Sequence, residues 1–139
     1  MIFTAITIRN FLLAIVALLV AGGALANHRE GHVDVTVGVL SNQAQFGQQV
    51  FNAKCADCHG LNGSGTRKGP PLIHAIYNPG HHSNKSFYRA VRNGVKQHHW
   101  PYGDMPPQKS VGFSEMGALV KFIREVQVFN GIETEKHRM

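Results

Sequence analysis

The sequence predicts a small all-α domain of three to four helices joined by long loops, and three observations carry that prediction. Apolar residues recur at helical spacing in three separate segments, the one clear period-two stretch is short, and the intervening segments are rich in glycine and proline. With 139 residues, 43% of them hydrophobic and 16% charged, the composition is that of one ordinary globular domain.

Residues 1–26 read as a signal peptide. Arg9 gives a positive start, Phe11 to Val20 is an uncharged apolar run, Gly22 and Gly23 break it, and Ala24-Leu25-Ala26 fits a signal-peptidase site. Export to the periplasm is expected, with the mature chain starting at Asn27. The alternative is an uncleaved anchor facing the periplasm, but the run from Phe11 to Ala26 falls short of the about 20 residues a spanning helix needs. With the segment cleaved, no stable membrane insertion is expected. Residues 27–41 form an extended arm in which Val33, Val35, Val37 and Val39 alternate with Asp34, Thr36 and Gly38, with no second strong strand to pair with.

The first helix is expected from about Asn42 to Cys55. Phe46, Val50 and Phe51 make an apolar stripe, and Gly47, Phe51 and Cys55 fall at i, i+4 and i+8 on one face. Residues 60–83 then read as loop. A second helix is expected from Ser86 to Gly94, capped by Ser83 or Asn84, with Phe87 and Val91 facing inward and Gly94 as its stop. A last helix should run from about Ser114 to Asn130. Ser114 would cap it, Glu115 would favour the positive end of its dipole, and Leu119, Phe122, Ile123 and Val126 would form its apolar face before Gly131. The whole divides into 1–26 signal peptide, 27–41 arm, 42–131 domain and 132–139 tail. So little regular structure favours a large bound group that helps fill the core.

The chemistry sits in Cys55-Ala56-Asp57-Cys58-His59. The chain has only two cysteines, three positions apart, and a disulfide between them would close a ring too small to stabilise much. C-x-x-C-H is the attachment signature of a c-type haem. Two thiols on one helical turn reach the two vinyl groups of one porphyrin edge as thioethers, and His59 is held under the plane to offer Nε2 to the iron. Met105, in Gly103-Asp104-Met105-Pro106-Pro107, stands in a proline-stiffened loop that can bring a soft thioether to the opposite side. Met116 falls within the last helix. His98 and His99 are the rival ligands, and bis-histidine ligation would lower the potential. Zinc is the chemical competitor for the cysteines, but the usual second Cys-x-x-Cys pair is missing.

From about Gln45 to Phe129 the chain resembles the mono-haem class I cytochromes c. The matches run in order: Gly47 and Phe51 before Cys55-Ala56-Asp57-Cys58-His59-Gly60, then Gly69-Pro70-Pro71-Leu72, then Val91-Arg92-Asn93-Gly94 ahead of Met105-Pro106, then the closing amphipathic helix. The resemblance implies a small cytochrome c fold wrapped around one covalent haem c with iron. It implies that first and last helices cross with Gly47 permitting close approach and Phe122 packing opposite. It also implies that the Pro70 carbonyl accepts the Nδ1 proton of His59, so that Cys55, Cys58, His59, Pro70 and Met105 hold the haem and His59 and Met105 ligate iron. The valine-rich arm and the density of histidines depart from the common pattern.

The expected function is one-electron transfer, not catalysis: both axial positions are accounted for, leaving no open position for oxygen or peroxide. The formal charge is +6, and from Cys58 to Gly103 the cations Arg67, Lys68, Lys85, Arg89, Arg92 and Lys96 stand without a single acid. That favours redox partner proteins with an acidic docking patch, and export makes nucleic acid a poor candidate. Two alternatives remain open. The chain would be the haem-bearing subunit of a periplasmic dehydrogenase or oxidase, its Val33–Leu40 segment pairing with a partner's strand, or it would carry an accessory copper site. The copper reading rests on nine histidines, among them His28, His32, His74, His137 and the pairs His81-His82 and His98-His99; zinc is a second metal for those pairs. Trp100 and Tyr102 flank the methionine loop, either lining the haem pocket, with a donor for a propionate, or simply packing.

Overall fold

The computed structural model describes residues 32–135. The predicted signal peptide, His28 and His137 lie outside them. Four α-helices and no strand are present among the described residues: α1 Asn42–Lys54, α2 Ala56–His59, α3 Asn84–Asn93 and α4 Phe113–Phe129, with 3-10 turns at Leu61–Gly63 and Ala75–Tyr77. The architecture is all-α, as expected. No helix among the described residues is long and apolar enough to cross a membrane.

The core is the packing of α1 on α4. Phe51, Phe122 and Val126 are fully buried, and the rings of Phe51 and Phe122 lie 5.5 Å apart, tilted at 51°. Gly47 makes this crossing possible. A Cβ built there would stand 2.0 Å from the Ala118 carbonyl oxygen and 2.9 Å from Phe122 Cβ, so only glycine lets the backbones approach this closely. The two helices run antiparallel and are tied at both ends. At one, Ser41 caps α1 by accepting the Ala44 N–H, while its own amide and hydroxyl donate to the Glu125 carboxylate at 2.9 and 2.8 Å. At the other, Lys54 Nζ donates to both Glu115 oxygens at 2.8 Å.

One terminal detail differs from the sequence expectation. The N-cap of α4 is Gly112, not Ser114: the helix begins at Phe113, and Glu115 reaches back to accept the Gly112 N–H at 2.7 Å. Asn130 is the C-cap, and Gly131 follows with φ 71°, the left-handed turn that ends the helix.

The described part of the arm, residues 32–41, lies outside any helix, and among the described residues it pairs with no strand. Val33 N–H donates to the Ser64 carbonyl at 2.7 Å, and Thr36 exchanges its amide and carbonyl with the Asn130 side chain at 2.9 and 2.8 Å. Val35 and Val37 pack on the core. The alternation then slips at Gly38, which lies against the Phe129 ring, so that Leu40 is buried while Val39 is 91% exposed. The backbone groups expected to be open to a partner's strand are therefore engaged at Val33 and Thr36 by the domain itself.

Candidate functional site

The cysteine–histidine turn grows directly out of α1. Cys55 leaves the helix at φ −121°, ψ −24°, and the next turn closes through His59 N–H to the Cys55 carbonyl at 2.9 Å before Gly60 ends it at φ 72°. The following loop folds back onto α1. Gln48 Nε2 and Asn52 Nδ2 donate to Asn62 Oδ1 at 2.9 and 3.1 Å, and Asn52 Oδ1 accepts the Asn62 N–H at 2.9 Å, holding that residue at a positive φ of 57°. These amides sit one turn apart on α1 and keep the loop in place.

His59 Nδ1 lies 2.9 Å from the Pro70 carbonyl oxygen. A carbonyl can only accept, so the proton is on Nδ1 and Nε2 keeps its lone pair. Burial lowers the imidazole's pKa, the Pro70 contact opposing it, so the ring is held in the neutral form that binds metal. Gly69 allows this approach: a Cβ there would stand 2.9 Å from the Cys58 carbonyl oxygen.

Met105 comes from a loop closed at its neck. Val95 and Met105 exchange backbone hydrogen bonds, both 2.9 Å, and Gly94 at φ 77° sits so close to the Met105 carbonyl oxygen that a Cβ would come within 2.4 Å. Asp104 accepts from Lys96 Nζ at 2.6 Å and from the Gln97 N–H at 2.9 Å, while Gln97 Oε1 accepts the Gly103 N–H at 2.6 Å. Sequence reasoning singled out Met105 but missed Asp104 and Gln97, which brace the residues around it.

Cys55, His59, Pro70 and Met105 line one cavity of about 370 Å³, together with Phe87, Val91, Leu119 and Ile123. Trp100 and Tyr102 line it too, with their rings stacked at 6.2 Å. Met116, His98 and His99 also reach it, so the rival ligands are gathered with the favoured one. Cys58 is not among the lining residues and its side chain is exposed, one turn on from half-buried Cys55. Burial pushes the Cys55 thiol up to about 11.

The basic stretch is less free in space than in sequence. Its flanking acids, Asp57 and Asp104, fold back on two of its cations: Lys68 Nζ lies 2.9 Å from Asp57 and Lys96 Nζ 2.6 Å from Asp104. Lys85, Arg89 and Arg92 are exposed along α3, and Arg89 reaches the cavity mouth.

Residues 44–127 match the family model described as Cytochrome c, and with that much of the chain covered it belongs to the cytochrome c family. Comparison with curated proteins gave no match. The family binds a covalent haem c with its iron, and the chain is accordingly a haem-bearing electron carrier.

Three features of the cavity fit that group. The apolar side of α3, Phe87, Ala90 and Val91, lines the cavity, and none of its residues is fully buried: Phe87 and Val91 touch the core but turn part of their surface to the cavity. The donors that the cavity gathers include a neutral imidazole and a thioether, both suited to iron. Finally, Trp100 Nε1 is buried with no hydrogen-bond partner. The indole is near enough to temper the rise of Tyr77, whose phenol burial pushes up to about 12, yet it completes no bond to it. A buried N–H without an acceptor costs about 1–3 kcal/mol, and a haem propionate is an acceptor of the right charge.

Proposed function

We propose that this chain is an exported, periplasmic one-electron carrier in which His59 and Met105 are the axial ligands of the iron and Cys55 and Cys58 form the thioether links. The observation that carries the reading is the His59 Nδ1–Pro70 contact at 2.9 Å, which leaves Nε2 as the donor in the cavity that Met105 also lines. Bound haem supplies the ferric–ferrous couple. The chain's residues do the rest: Pro70 fixes the tautomer and orientation of His59, and the Val95–Met105 bridge with its Asp104 brace keeps the thioether at the site. Phe87, Val91, Leu119 and Ile123 exclude water, favouring a positive potential, and Trp100 holds an N–H for a propionate. Support for Met105 over His99 is that His99 Nε2 stands 3.1 Å from His81 Nε2, engaged with a neighbouring imidazole. Export rests on the composition of residues 1–26. No catalytic residue is assigned.

The exposed cations of α3 lie on the helix that walls the cavity, where they would steer an acidic partner toward the haem edge. Replacing Lys85 and Arg89 with glutamine should slow reduction by an acidic redox partner at low ionic strength, with the difference vanishing at high salt and the potential nearly unchanged. Stopped-flow kinetics across a salt series checks this, and equal rates at low salt would remove the docking role. Lys96, a natural third choice from sequence, is unsuitable because its loss would also disturb the Met105 loop.

A further inference from the structure

At the rim of the cavity, which His82, His98 and His99 also line, the chain gathers imidazoles that the proposed His59 and Met105 pair does not use. His81, His82 and His99 each offer a ring nitrogen, all within 4.8 Å of one another. His98 stands next to them, its ring centroid 4.3 Å from that of His99 and 6.1 Å from that of His82. Two loops far apart in sequence converge here, so the cluster is a product of the fold.

Several features prepare these rings for a cation. His82 Nδ1 is 2.7 Å from the Ile76 carbonyl oxygen and His98 Nδ1 is 2.7 Å from the Lys96 carbonyl oxygen, which puts the protons on Nδ1 and leaves both Nε2 atoms as lone-pair donors. The backbone beneath is also fixed. Asn78 accepts the amides of His81 and His82 through its carbonyl at 3.1 and 2.8 Å, and Arg124 donates to the His82 carbonyl and, at 2.8 Å, to that of Tyr77. His81 Nε2 and His99 Nε2 are 3.1 Å apart. Donors around an ion with metal–nitrogen bonds of about 2.0 Å stand about 3–4 Å from one another, so small rotations of exposed side chains close the set.

We propose that His81, His82 and His99, with His98 at hand as a fourth donor, form a binding site for a divalent copper ion on the rim of the haem cavity. All-imidazole donors suit copper and zinc, and the divalent first-row order places Cu(II) above Zn(II) at such a site. The site rests on the reading that Met105, and not His98 or His99, ligates the iron, since all three line the cavity.

The test is a Cu(II) titration of the full haem-loaded protein, read by electron paramagnetic resonance and by competition with a chelator of known affinity. One Cu(II) per chain with nitrogen hyperfine structure is expected, and affinity should drop roughly tenfold or more in His81→Gln/His99→Gln. His28→Gln/His32→Gln/His137→Gln should bind as the parent does, and copper should leave the haem absorption spectrum unchanged. Matching far-ultraviolet dichroism establishes that the first variant is folded; His81→Gln alone, at an exposed position, gives a second reading of the same loss. Absence of stoichiometric binding, undiminished affinity in either His81 variant, tighter Zn(II) than Cu(II), or a copper-induced change in the haem bands would each overturn the site.

Discussion

A methyl group at position 47 has nowhere to go. The Ala118 carbonyl oxygen 2.0 Å from its would-be Cβ is backbone, and backbone in the middle of α4 cannot swing aside. Gly47→Ala should therefore cost about 2–3 kcal/mol, or more where the helices are forced apart. Guanidinium unfolding of the haem-loaded protein measures this, and an unchanged midpoint would contradict the close-packed crossing. At the same scale, Trp100→Phe keeps the ring but removes the orphaned N–H. If that N–H serves a propionate, the variant should shift the reduction potential while stability changes little; an identical potential would assign the indole to packing alone.

Sequence was most informative where chemistry is local. The His59–Pro70 contact was legible because it lies a short spacing along the chain from the cysteine motif, and Gly47 because it stands two helical turns before Cys55. The polar braces were not legible. Asp104 meets Lys96, Gln48 and Asn52 meet Asn62, and Arg124 meets Tyr77 and His82 only after the loops have folded, and no periodicity announces them. Ser114 failed as a cap for a related reason: the helix already begins at Phe113, where Glu115 reaches back to the Gly112 amide.

Among the elements, the Val95–Met105 loop and the α1–α4 pair make separate predictions. Asp104→Ala removes both the Lys96 pair and the acceptor for Gln97, so the sulfur–iron charge-transfer band should fade at a lower temperature than in the parent. Equal fading temperatures would show that the backbone bridge alone holds the loop. In the helix pair, Lys54 first and then the Gly112 amide hold Glu115 below its ordinary pKa of 4.5. The carboxylate's contribution is thus fully present above that value and is lost as pH falls through the lowered folded-state pKa. Glu115→Gln should flatten this part of the acid limb of a melting-temperature profile, with parent and variant converging at low pH; parallel profiles would deny the tie a role. The arm shows the opposite limit of sequence reading. Its alternation was plain, but the slip at Gly38 follows from the Phe129 ring beside it.

At the scale of the molecule, the fold is a two-helix core with a third helix and two braced loops arranged around a cavity. The sparse regular structure visible in the sequence already asked for a large group to complete it, and α3, which has its apolar side on that cavity, is where the need is greatest. Charge required the folded chain: the acid-free stretch is answered in space by Asp57 and Asp104 at its two ends, which moves the basic face onto α3. The account's central claim is the ligand pair His59 and Met105. Its most direct test is the absorption spectrum of the haem-loaded protein in both redox states during a potentiometric titration, with Met105→Ala alongside. The account predicts a c-type spectrum with the ferric sulfur-to-iron band, a clearly positive potential, and loss of both in the variant. A band that survives in Met105→Ala would transfer the sulfur to Met116, and a low potential with no band in the parent would make His98 or His99 the ligand; either result would contradict the pair.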